Sequence, residues 1–180
     1  LLGPDFLLEG TEGNLQRGDT PWHGGIPEVG SPRHIKIGFY LEPLTRETGC
    51  LRVVPGSHNV DSPDLLAILR DRNYEPDFRP FGMAPADVPS FAIESRPGDV
   101  VVFTEDVCHA SFGGIDHRHQ HALVFMANPE TDAEVAFVRT KYEKLKYGLR
   151  PADSYVHSAR PRIRRMVSRL VEWGFETSSM

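Results

Sequence analysis

Up to about residue 127, short apolar runs alternate with turns that carry glycine or proline, and this constrains the fold more than any other feature. Ile35-Lys36-Ile37-Gly38-Phe39-Tyr40-Leu41 alternates with a period of two and predicts a strand with Ile35, Ile37, Phe39 and Leu41 on one face. Cys50–Val54, Phe91–Glu94, Val100–Thr104 and His121–Met126 are further short strand signals. Thr45–Gly49, Pro55-Gly56 and Arg96–Asp99 separate them. Residues 6–17 read as a hairpin turning at Glu12-Gly13-Asn14, and residues 18–34 as a loop. Residues 72–89 hold many prolines and no period, which suggests a surface loop or lid.

Helical signals fall mostly at the end. Thr131–Lys146 reads as one helix and Arg162–Trp173 as another, with Ile163, Met166, Val167, Leu170 and Val171 on one side. Asp64–Arg70 suits a short helix between strands. The expected class is mainly β: a double-stranded β-helix (a jelly roll, cupin-like) over about 6–127, with flanking α-helices over about 130–175 in one catalytic domain of 180 residues. The chain opens on Leu1-Leu2-Gly3-Pro4, so an N-terminal part of the domain is expected to lie outside this numbering.

Composition narrows the function classes. Hydrophobic residues make up 39% and charged residues 25%, ordinary for a globular protein. The formal net charge of −5 gives no reason to expect a nucleic-acid polymer as partner. No run approaches the roughly 20 apolar residues that span a bilayer. Cys50 and Cys108 make no disulfide framework, so a cytoplasmic location is expected. The chemistry must come from elsewhere. His23 sits in a loop before a strand and His109 follows one, and only a fold can bring them together. Neutral imidazole suits iron, and two such ligands leave positions open for substrate and oxygen. The alternative is that each is an ordinary structural histidine, the default for His34, His58, His117, His119, His121 and His157.

Five blocks decide between these readings. Gly18-Asp19-Thr20-Pro21-Trp22-His23, Ile35–Leu41, Gly49–His58, Pro97–Phe103 and His109–Gly114 occur in an order that resembles the phytanoyl-CoA dioxygenase family. The resemblance implies a jelly roll, ferrous iron, 2-oxoglutarate and O2 as cosubstrate. It also implies His23 and His109 as the iron ligands, and gives the Gly-Ser-His block at His58 a role in shaping the rim. Gly56 is expected to supply a turn conformation that residues with a Cβ avoid.

The chain departs from the family pattern at one ligand. The family motif is His-x-Asp, and the third position here is Gly25. Glycine has no donor, so three accounts stand. The open position holds chloride or bromide, as in the iron halogenases that this His-x-Gly pattern resembles. Another carboxylate, Glu28 or Asp19, replaces the lost one and the enzyme is a hydroxylase. Or the protein is a non-catalytic relative. The first is preferred, because a carboxylate would fill the place that a halide must take. The family also places an arginine after the distal histidine to clamp the far carboxylate of 2-oxoglutarate, and Arg118 is the candidate here. Ser111 and Thr104 are expected to add polar contacts. The run His117–His121 is spaced too tightly for a zinc site and reads as the start of a strand. Arg160, Arg162, Arg164, Arg165 and Arg169 read first as a solvated helical face; the alternative is that one or two of them bind a phosphate, which would make a nucleotide or other phosphorylated small molecule a candidate substrate for C–H halogenation.

Overall fold

The computed structural model describes residues 1–24, 30–59, 63–70, 75, 77–114, 117–143 and 150–179. Among the described residues, eight strands form two four-stranded sheets. They are β1 (Phe6–Gln16), β2 (Thr20–His23), β3 (His34–Tyr40), β4 (Leu51–Val53), β5 (Phe91–Ile93), β6 (Val101–Thr104), β7 (His109–Ser111) and β8 (Arg118–Ala127). One sheet runs β1-β8-β3-β6 and the other β2-β7-β4-β5, so neighbours in each sheet are distant in sequence. That interleaving of antiparallel strands is the jelly-roll arrangement expected from the strand and turn pattern. Among the described residues the α-helices that accompany it are α1 (Pro63–Arg70), α2 (Asp132–Glu143), α3 (Asp153–Val156) and α4 (Pro161–Glu172). Among the described residues no helix is long and apolar enough to cross a membrane.

The chain divides into two compact units. One comprises Glu12–Pro27 and Lys36–Ala122 and holds all of the sheet β2-β7-β4-β5. Its core is Trp22, Leu66, Leu69, Val88, Cys108, Ala110 and Phe112, with Trp22 and Cys108 wholly buried. Trp22 donates its indole N–H to the carbonyl of Pro85 at 2.8 Å, and Arg52 donates to the carbonyls of Ala86 (2.6 Å) and Arg46 (2.7 Å). The Arg52 guanidinium also lies 5.5 Å from the Phe112 ring centroid. Buried donors therefore pin the backbone at 85–86, and Val88 is buried beside them. The expected surface loop over 72–89 is thus anchored to the core at 85–88; residues 72–74 and 76 lie outside the described residues.

The other unit comprises Leu1–Thr11, Glu28–Ile35 and Leu123–Met180. Its core is Leu7, Leu8, Met126, Val138, Val167 and Leu170. α2 begins at a capping box: Glu134 N–H donates to the Thr131 hydroxyl at 3.2 Å, while the Glu134 carboxylate accepts from Thr131 N–H at 2.9 Å. Those backbone donors hold the Glu134 carboxyl below its ordinary range. α4 starts with Pro161 at its first turn, where the missing N–H costs nothing.

Three local expectations change. No hairpin forms over 6–17. β1 continues straight through Glu12-Gly13-Asn14, because Gly13 does not take the positive φ that a tight turn requires. Residues 18–34 contain β2. On α4, Val167 and Leu170 are buried, but Val171 is 39% exposed and lies outside the stripe. Leu170→Ala is therefore expected to cost about 2–5 kcal/mol of stability, and Val171→Ala less than about 0.5 kcal/mol. Denaturant unfolding of the two variants checks this, and equal losses would contradict the packing described.

Candidate functional site

The site lies in the first unit and is built on the pairing of β2 with β7. His23 pairs with His109 and Thr20 with Ser111. Three steps along β2 thus match two along β7, which makes a bulge between Thr20 and His23. The bulge matters because strand side chains alternate faces. Thr20 and His23 are an odd number of residues apart and would point oppositely in a regular strand, yet both line one pocket with His109 and Ser111. Pro21 lies in this bulge, one of the few places a sheet tolerates proline. Trp22 is left facing the core.

The pocket has a volume of about 110 Å³. The two imidazoles meet in it with ring centroids 3.9 Å apart, tilted by 55°. Each is oriented by a main-chain acceptor. His23 Nδ1 lies 2.8 Å from the carbonyl of Pro21, and His109 Nδ1 lies 2.7 Å from that of Val107. A carbonyl can only accept, so each Nδ1 carries the proton and each Nε2 presents a lone pair. Phe103 packs edge-on against His109 with centroids 5.0 Å apart. Burial, then the positive charge of His23 in its protonated form, pushes the His109 pKa down to about 3. Burial also lowers that of His23. Both rings are therefore neutral near pH 7, the form that binds a metal. Two such lone pairs suit an iron ion. Among the described residues, no group of three histidine, cysteine, aspartate or glutamate side chains completes a metal site. Gly25 and Glu28 lie outside the described residues.

Gly24 locks this arrangement. Its φ is +76°, and a Cβ there would stand 2.6 Å from the Val107 carbonyl oxygen, 2.7 Å from that of Glu105 and 3.0 Å from His109 Nδ1. Only glycine lets the chain after His23 press against the carbonyl that orients His109.

Arg118 opens β8 and is buried, 3% exposed, among the pocket residues. It donates to the Gly49 carbonyl at 2.7 Å and to the Ser111 hydroxyl, with Thr20 Oγ1 at 3.4 Å. Gly49 has φ +90°, and a Cβ there would come within 2.5 Å of this guanidinium. No carboxylate among the described residues forms an ion pair with Arg118, and its Nε has no hydrogen-bond partner. A buried cation with spare donors fits a carboxylate ligand. Gln120 shares its strand parity and also lines the pocket, while exposed His119 on the opposite parity bonds Glu42. The histidine run is indeed the start of a strand.

Other expected residues sit elsewhere. Thr104 does not line the pocket: its hydroxyl bonds Asp106 at the end of β6, where the chain turns away from the sheet. Asp19 accepts from the amides of Gly113 (2.8 Å) and Gly114 (3.4 Å). His58 is exposed and contacts Asn59, whereas its neighbour Ser57 accepts from the Cys108 amide at 2.7 Å and so braces β7. Gly56 takes the expected positive φ of 80°. On α4, Arg164 donates to the Ser158 carbonyl, Arg165 pairs with Asp5 at 2.9 Å and Arg169 lies over Trp173. None of these arginines lines the pocket. Tyr40, Lys36, Glu12 and Phe103 do, and sequence reasoning missed them. The even positions of β3 carry Lys36 and Tyr40 into the pocket, opposite to the face marked by Ile35, Ile37 and Phe39.

A jelly-roll pocket that gathers two neutral histidines and a buried arginine offers lone pairs for a metal ion and donors for a carboxylate. Residues 9–115 match the phytanoyl-CoA dioxygenase (PhyH) family, more than half of the sequence, and the chain belongs to that family. No curated protein sequence matches it significantly. Among solved structures, EvdMO1 is similar at 25% identity and a TM-score of 0.53, over 72% of this chain and 29% of that one. HygX from Streptomyces hygroscopicus, with nickel and 2-oxoglutarate bound, is similar at 18% identity and a TM-score of 0.55, over 73% of this chain and 60% of that one. SnoN, a non-haem alpha-ketoglutarate-dependent epimerase from nogalamycin biosynthesis, is similar at 21% identity and a TM-score of 0.50, over 70% and 49%. The chain thus spans from under a third to three fifths of the length of these structures.

Gly24→Ala is expected to displace the Val107 carbonyl and turn His109 off the metal position. Nickel affinity, measured by calorimetry, should fall at least about tenfold while the thermal transition stays cooperative. Unchanged affinity would show that Gly24 plays no part in orienting the ligand.

Proposed function

We propose that this chain carries the active site of an iron(II)- and 2-oxoglutarate-dependent oxygenase acting on a small molecule, and that it transfers chloride or bromide to an unactivated C–H bond. The observation that carries the oxygenase reading is the joint presence, in one pocket, of two neutral histidines with free Nε2 lone pairs and a buried arginine with spare donors. Ferrous iron, when bound, supplies oxygen activation coupled to oxidation of 2-oxoglutarate to succinate and CO2.

His23 and His109 hold the metal, and the Pro21 and Val107 carbonyls keep both rings in the ligating tautomer. Arg118 binds the far carboxylate of 2-oxoglutarate, with the Ser111 hydroxyl beside it. Tyr40 lines the same pocket, and burial raises its pKa, so it offers a neutral hydroxyl. Phe103 shields His109 from water.

Halogen transfer is favoured by the absence of a third ligating side chain among the described residues. Gly25 brings no ligand, and the Asp19 carboxylate is committed to two backbone amides. The position left open takes a halide.

Two measurements test this. Arg118→Gln is expected to raise the Michaelis constant for 2-oxoglutarate roughly ten- to hundredfold, the worth of a charged bidentate hydrogen bond. An unchanged constant would place the clamp elsewhere. Turnover with candidate substrates at saturating chloride should give a chlorinated product by mass spectrometry, with succinate formed alongside. Gly25→Asp should stop halogenation by restoring a carboxylate. A halide-free hydroxylated product would favour the hydroxylase that recruits Glu28. Absence of succinate under every condition would mark a non-catalytic relative.

A further inference from the structure

Lys36 is not used by any step above, yet it lines the two-histidine pocket. A lysine is rarely placed on the inner face of a sheet unless something anionic meets it. Its side chain is only 16% exposed. Its Nζ lies 3.3 and 3.1 Å from the two oxygens of Glu12, and 3.7 Å from Glu105 Oε1. Its positive charge opposes protonation of both His23 and His109, and it opposes a divalent metal at their Nε2 atoms by the same Coulomb repulsion. A cation beside a cation-binding site is a standing cost unless an anion comes between or beside them.

2-Oxoglutarate does not explain it. On the oxygenase reading, on which this inference rests, one carboxylate of the cosubstrate takes Arg118 and the keto-acid end takes the metal. Lys36 then remains as a second cationic pole of the pocket with a different partner. Glu12 shows what that partner looks like. Both of its oxygens meet one ammonium, so Lys36 already donates to a carboxylate. Glu12 holds the place weakly, since it is 42% exposed and lies on β1, at the edge of its sheet. The Glu12 end of the pair faces solvent, where a dissolved carboxylate can compete for the ammonium.

We infer that Lys36 is a specificity-determining residue that takes the carboxylate of an organic acid substrate, displacing Glu12, and so fixes the reacting C–H bond near His23 and His109. The buried end of the pair stays with the protein and the exposed end yields to the ligand. The phosphate reading of the α4 arginines finds no such support, because Arg164, Arg165 and Arg169 are engaged locally.

The test uses the intact chain loaded with nickel(II) and 2-oxoglutarate, with acetate as the probe, followed by calorimetry or by acetate NMR line width. Acetate is expected to bind the parent protein. Lys36→Met should weaken it about tenfold or more, Lys36→Arg should keep it within a few-fold, and Glu12→Gln should tighten it several-fold by removing the competitor. All three variants should still bind nickel and 2-oxoglutarate, with nickel held somewhat more tightly in Lys36→Met, where the repelling charge is gone. Failure of the parent to bind nickel or 2-oxoglutarate would remove the oxygenase reading alone; acetate titration of the metal-free protein and its Lys36→Met variant would then decide the role of Lys36. Absence of acetate binding, equal affinity in Lys36→Met, or weaker binding in Glu12→Gln would each overturn the inference.

Discussion

The pairing of His23 with His109 across β2 and β7 is the constraint on which the site depends. Two short strands set the distance between the imidazoles, and the bulge before His23 sets the face on which they meet. The same bulge turns Trp22 toward the core, where its indole holds the backbone at Pro85. Shifting the register by one residue would exchange the two faces. It would bury His23 among Leu66, Val88 and Phe112 and expose Trp22. The apolar core under the strands is thus what keeps the histidines pointing the other way.

Arg118 shows the opposite economy. A buried guanidinium without a carboxylate partner costs stability unless hydrogen bonds replace its lost water. The Gly49 carbonyl and the Ser111 hydroxyl replace part of it, and glycine at 49 makes the approach possible. The donors left over are an incomplete network. Such a network is unfavourable for a scaffold and suited to a ligand that completes it.

Much of this was legible in the sequence. Alternation and turn residues gave the jelly-roll class. The motif blocks singled out His23, His109 and Ser111, and the arginine that the family places after the distal histidine pointed to Arg118; the fold gathers all four into one pocket. Strand parity placed Arg118 and Gln120 on the same face. What escaped has physical causes. The alternation in Ile35–Leu41 shows that two faces differ, but not which one meets the cavity, and so Lys36 and Tyr40 were passed over. Gly13 resembled a turn glycine because composition carries no φ angle; it lies beside His121 instead, where a Cβ would come within 3.5 Å of the ring. Thr104 has the right polarity, but its hydroxyl is taken by Asp106. A bulge leaves almost no trace in a single sequence, and the proline at 21 is intelligible only once β7 lies beside it.

Both imidazoles are oriented by peptide carbonyls two residues upstream, not by acidic side chains. That choice has an evolutionary consequence. The side chains at 21 and 107 can change without removing the acceptors, so selection has few point mutations there with which to lose the ligand geometry. Insertions and deletions are another matter. Adding or removing one residue between Thr104 and His109, or between Thr20 and His23, would carry a carbonyl away from its ring. Relatives of this chain should therefore tolerate changed side chains at 21 and 107 and keep the lengths of these two short segments fixed.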